Sequence, residues 1–341
     1  MNPYQATDQF DGELAGEFEE PIVAVLVDPP PDESSVRSNL RPRWWTPLVV
    51  IAASGAAFLL ASTVLALAAV WVVFGEVSFE ILGSAATMAT LFESRWGLLL
   101  LFVMPQFALV AVPLAAARLS PEPMARRLGL VRGTWPTWAW IGSALATPLI
   151  GLVSGILVGL FLDESDGLKE ISGVFRTHGQ NGFLVPLALM IGVTPAICEE
   201  ILFRGYIQTR LVRSFSPTIG VFVASFLFAA FHMDLVHVVA VFPLGVFLGM
   251  VSYRSGSLFP AMLGHFVNNV ISVVMIVMAP EDETDVLAAP AIAVTLSILV
   301  VGILGMAATV AAAVMYGPPG NGDSIASGDI SLPNSSSDGD R

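Results

Sequence analysis

Long apolar runs that recur along the chain constrain it most. Eight stretches between residues 47 and 315 approach or exceed the ~20 apolar residues that a helix needs to cross bilayer hydrocarbon. They are 47–74, 97–117, 136–162, 183–207, 218–233, 235–252, 258–279 and 291–315, and the fifth and sixth are short and nearly continuous. In lipid every backbone N–H and C=O must find a partner inside the protein, and a helix provides one within each segment. The expected fold is therefore all-α, a polytopic transmembrane helix bundle of about eight spans. Residues 78–93 are too mixed for a span and read as an amphipathic helix at the interface.

Composition agrees. Apolar residues make up 55% of the chain and charged ones 13%, against about 25% charged in an ordinary soluble domain. The mean hydropathy is +0.76. The net charge of -13 belongs to the tails, since the first 33 residues hold nine acids and no base. No basic face exists to neutralise phosphates, so no nucleic-acid partner is expected. The single cysteine, Cys198, allows neither an internal disulfide nor a thiolate cluster, and reads as a small packing residue.

The organisation follows from these runs. Residues 1–45 form an acidic, Pro-rich segment without the basic and apolar regions of a secretory signal, and read as a disordered cytoplasmic tail. Residues 46–175 hold the N-terminal membrane helices, 183–279 a bundle rich in polar residues, and 290–316 a C-terminal membrane helix. Residues 317–341 read as a disordered polar tail. Arg37, Arg41 and Arg43 precede the first span. Arg118, Arg126, Arg127 and Arg132 follow the second, Arg210 and Arg213 the fourth, and Arg254 the sixth. With eight spans these loops share one side, and the positive-inside rule puts them and both termini in the cytoplasm. The expected location is a bacterial inner membrane, with membrane lipid as a partner.

A charged group at a helix centre costs roughly 2.5–3.5 kcal/mol even on insertion-based scales, so such groups face a cavity or each other. Glu199, Glu200, Arg204, His232 and His265 are functional candidates for that reason. Glu200 and Arg204 are four apart on a helix and can pair, whereas Glu199 points about 100° away. One glutamate can be neutralised structurally while the other stays free for chemistry. Taken singly, Glu200 with Arg204 is an interfacial salt bridge, and each His or Asn an interhelical hydrogen-bonding group. His237 reads as structural and His178 as exposed in a polar loop.

Spacing joins the groups. Glu199 and His232 each lie about 16 residues, or ~24 Å of helix, from the turn Arg213-Ser-Phe-Ser-Pro217, so a hairpin sets them at equal depth. His265 lies ~15 Å beyond the turn Tyr253-Arg-Ser-Gly-Ser257, and converges with them if the fourth helix protrudes. A glutamate facing a histidine can hold and deprotonate a water. His265 and Asn269, one helical turn apart, can donate to a developing oxyanion. The same set of side chains can instead hold a divalent metal.

Three motifs now stand in order on successive helices: Glu199-Glu200 with Arg204, Phe228 with His232, and His265 with Asn269. Phe203-Arg204-Gly205-Tyr206 and Tyr253-Arg254 flank them. Together they resemble the CPBP family, which includes CAAX prenyl proteases of the Rce type and bacteriocin-processing and immunity proteins, over roughly residues 183–279. The resemblance implies an intramembrane endopeptidase acting on a membrane-associated protein or peptide. It implies that Glu199 and His232 activate water, that His265 and Asn269 form the oxyanion site, and that Glu200 and Arg204 support them. A divalent metal such as zinc, if used, would take Glu199, His232 and His265.

Other proteolytic patterns are missing. No His-Glu-x-x-His occurs, and Gly151-Leu-Val-Ser154-Gly155 lacks the spacing of a rhomboid-like serine site. Gly320-Asn-Gly322-Asp323 matches half of an aspartyl motif but lies in the polar tail. The rival readings are a non-catalytic scaffold or immunity protein of the same fold, and a proton-coupled transporter. The paired halves common in transporters are not seen.

Overall fold

The computed structural model describes residues 43–279 and 289–318. The tail up to 42, the acidic segment 281–285 and the tail from 319, with its Gly320–Asp323 match, lie outside the described residues. Twelve helices follow in chain order: α1 Thr46–Phe74, α2 Phe79–Gly83, α3 Ala85–Glu93, α4 Arg95–Arg118, α5 Met124–Arg127, α6 Thr137–Gly159, α7 Asp166–His178, α8 184–214, α9 Pro217–Ala230, α10 Leu235–Ser255, α11 Phe259–Met278 and α12 Ala289–Met315. No strand occurs among the described residues. Among the described residues seven helices are long and apolar enough to cross a membrane, so the chain is an integral, multi-pass membrane protein with the expected all-α architecture.

The expected fifth span is the exception. Its helix, α9, has 14 residues, about 21 Å at 1.5 Å per residue against ~30 Å of hydrocarbon. Ser216 caps its start by accepting from the Ile219 backbone N–H at 3.2 Å. The chain leaves helical geometry after Phe231, where Met233 adopts φ 55°. Asp234 then caps α10, its carboxylate accepting from the His237 N–H at 2.8 Å. Its carboxyl is held below the usual range by the Ser165 hydroxyl and then by that backbone bond.

The expected interfacial segment 78–93 forms two short helices, α2 and α3. The polar loop near His178 forms amphipathic α7. His178 is buried there rather than exposed, with Nε2 donating to the Phe92 carbonyl at 2.7 Å. A carbonyl can only accept, so the ring carries its proton on Nε2.

Close packing rests on small residues, as expected where lipid is as apolar as the side chains. A Cβ on Gly142 of α6 would lie 2.8 Å from Ala308, and one on Gly305 of α12 would lie 2.6 Å from the Gly142 carbonyl. The α4–α6 loop closes one end of the bundle. Its Gly129 carbonyl accepts from the Leu258 N–H, and its Thr134 N–H donates to the Ser255 carbonyl, both at 2.8 Å. Arg118, Arg126, Arg127, Arg132, Arg213 and Arg254 belong to this end. Asp163, Glu164, Asp166 and Glu170 lie in and around α7, toward the other.

Candidate active site

α8 supplies the centre of the site. After Glu200 the helix widens into a π-helical stretch, Ile201–Gln208, in which every residue is buried. Such stretches are uncommon and concentrate at functional sites. The widened turns aim two polar side chains at α10. Arg204 donates through Nη2 to the Gly245 carbonyl at 3.1 Å, and Gln208 donates through Nε2 to the Gly249 carbonyl at 2.9 Å. The glycines admit this approach, since a Cβ on Gly249 would lie 2.6 Å from Gln208 Oε1.

The two adjacent glutamates separate as helix geometry predicts. Glu200 is fully buried and pairs with Arg204, Nη1 to Oε1 at 2.7 Å. The same oxygen accepts from His265 Nδ1 at 2.9 Å. Glu199 is 7% exposed. Its Oε1 accepts from Gln106 Nε2 of α4 at 3.1 Å, and its Oε2 lies 4.0 Å from His265 Nε2. His265 thus stands between the two carboxylates. Arg204 and His265 Nδ1 both meet Glu200 Oε1, so Nδ1 carries a hydrogen and the ring turns Nε2 toward Glu199.

Phe228 of α9 forms the wall of this centre. Its ring lies 4.2 Å from the Arg204 guanidinium carbon, a cation–π contact. Two histidines meet it edge to face, His265 at 5.8 Å and His232 at 5.2 Å between ring centroids. His232 Nδ1 donates to the Phe228 carbonyl at 3.1 Å, and its ring stacks on His237 at 4.5 Å. No hydrogen bond or ion pair joins His232 to Glu199 among the described residues. Glu199, His232 and His265 are not gathered as a metal set either. Among the described residues no three His, Cys, Asp or Glu side chains are grouped to hold an ion.

Asn269 has a local reason for its place. Pro195 inside α8 cannot donate to the carbonyl four residues back, at Ile191. Asn269 Nδ2 fills that gap at 3.1 Å, and its Oδ1 accepts from Asn268 at 3.3 Å. Cys198 is buried in the core cluster that holds Phe203 and Phe228. An open apolar groove of about 320 Å³ runs beside the site, lined by residues that include Ala196 of α8 and Phe266 of α11.

Fold and site together define a multi-pass membrane protein with a buried glutamate–histidine–arginine centre inside its helix bundle. Residues 181–271 match the family model for type II CAAX prenyl endopeptidase Rce1-like proteins. All seven residues singled out in the three motifs fall inside that segment, so the resemblance read from them and the matched family are the same. No curated protein and no solved structure gives a match.

Proposed function

We propose that the chain is an intramembrane endopeptidase in which Glu199 is the general base. The observation that carries this reading is the position of Glu199. It is buried, held on one oxygen by Gln106, and faces His265 Nε2 across 4.0 Å with the other. A gap of that size suits one bridging water. Such a water directs one hydrogen to Glu199 and the other to His265, leaving a lone pair for the scissile carbonyl. Glu199 takes the proton as the oxygen attacks the carbonyl carbon. The tetrahedral intermediate then collapses, the C–N bond breaks, and the proton passes to the leaving amine.

Glu200 and Arg204 fix the His265 tautomer and balance positive charge on the ring if it takes a proton. His232 and Asn269 serve the oxyanion and leaving-group sides once a substrate is seated. Asn269 retains a second amide hydrogen for that purpose. The apolar groove between α8 and α11 offers a membrane-associated protein or peptide a place to dock from the lipid, one helical turn from Glu199 and Glu200. The arginine-bearing end faces the cytoplasm of a bacterial inner membrane by the positive-inside rule.

The Phe228 ring between His232 and His265 favours a second reading, a non-catalytic scaffold or immunity protein of the same fold. Peptide cleavage by the purified chain in liposomes, read by mass spectrometry, separates the two. Wild type is compared with Glu199→Ala, His265→Ala and His232→Ala, each with and without chelator. The peptidase reading expects cleavage lost in Glu199→Ala and His265→Ala. Wild type without cleavage, together with Glu199→Ala rescuing a deletion strain, would establish the scaffold. Loss of cleavage on chelation would bring a metal back into the site.

A further inference from the structure

We infer that the arginine cluster where the α4–α6 loop meets the end of α8 binds the phosphate of an anionic lipid headgroup. Arg210 is 4% exposed. Its guanidinium stacks 3.4 Å from the Tyr206 ring centroid, and it donates through Nη1 to the carbonyl of that same residue at 3.4 Å. Arg127 and Arg213 lie close enough to repel it. Both share a single acid. Arg213 Nη1 donates to the two Glu122 oxygens at 3.1 and 3.2 Å, and Arg127 Nη1 lies 3.7 Å from one of them. Three guanidiniums around one carboxylate leave an excess of positive charge, part of it buried and therefore weakly screened.

The cluster opens outward through Arg213, whose side chain is 51% exposed. Its forked donors match the oxygens of a phosphate. Leu119, three residues before Glu122, and Phe215, two after Arg213, expose 88% and 54% of their surfaces. A free phosphate gains nothing from these apolar groups, whereas a lipid lays its acyl chains against them while its phosphate meets the guanidiniums. The cluster is separate from Glu199 and His265, and lipid retention there is independent of peptide hydrolysis.

Native mass spectrometry of the full chain in detergent, offered phosphatidylglycerol or phosphatidylcholine, tests this. Wild type retains phosphatidylglycerol in preference. Arg213→Gln, at a half-exposed position that tolerates the change, lowers that retention about fivefold, as expected for one arginine beside a phosphate. Arg132→Gln, at the same end but stacked on Trp140, leaves it unchanged, and inorganic phosphate does not displace the lipid. Equal retention of the two lipids, or an equal loss in Arg132→Gln, would overturn the site. Displacement by inorganic phosphate alone would overturn the lipid as its ligand.

Discussion

α1 and α8 are both long apolar helices, and they meet opposite demands. α1 carries no ionisable side chain, and only 11% of its most apolar stretch is buried. Leu59, Leu60 and Trp71 face outward. The middle of α8 holds Glu199, Glu200, Arg204 and Gln208, and all four are buried. In water the assignment would be reversed. In lipid, outward leucines cost nothing, so the interior has room, beside buried apolar residues such as Phe203 and Leu202, for polar groups that find partners and for small residues that let backbones approach.

The comparison can be broken by substitution. The largest effect is expected at Glu199. Glu199→Gln should lower the rate of peptide cleavage about 10²–10⁴-fold, the usual loss for a general base, with the thermal transition unchanged. Next comes Glu200→Ala, which leaves Arg204 buried without its carboxylate. A loss of about 3–5 kcal/mol is expected, seen in unfolding of the detergent-solubilised protein. Gly249→Ala drives a methyl into Gln208 and Val221 and should cost about 1–3 kcal/mol in the same measurement. Gln106→Leu removes a hydrogen bond to a charged group, worth ~1.5 kcal/mol, and should slow cleavage on the order of tenfold without unfolding. On α1, Leu60→Ala should change stability by less than about 0.5 kcal/mol, because Leu60 faces lipid. A large loss there would mean that α1 has a partner on its outer face.

The bundle was legible because crossing lipid demands runs that few other folds contain. Glu200 with Arg204 was legible from four-residue spacing, and the approach of His265 from counting helical rise beyond the turn Tyr253–Ser257. Gln106 was not, because a search for charge inside apolar spans passes over a lone neutral amide. The π-helical stretch of α8 has no local sequence rule, yet it aims Arg204 and Gln208 at the Gly245 and Gly249 carbonyls. The spacing Gly245-x-x-x-Gly249 is the signal that could have found that contact. Equal helical depth did not bring His232 to Glu199. Depth fixes height in the bundle but not which face a side chain takes, and here His232 packs on the Phe228 ring and stacks on His237. The burial of His178 depends on a carbonyl 86 residues away, beyond local reasoning.

The central claim is a division of labour between neighbours, Glu199 for chemistry and Glu200 for structure. Measuring cleavage rate and melting temperature together for Glu199→Gln and Glu200→Gln tests it most directly. Glu199→Gln is expected to melt like wild type without cleaving, and Glu200→Gln to melt well below wild type. Full cleavage by Glu199→Gln, or a Glu200→Gln protein as stable as wild type, would contradict it.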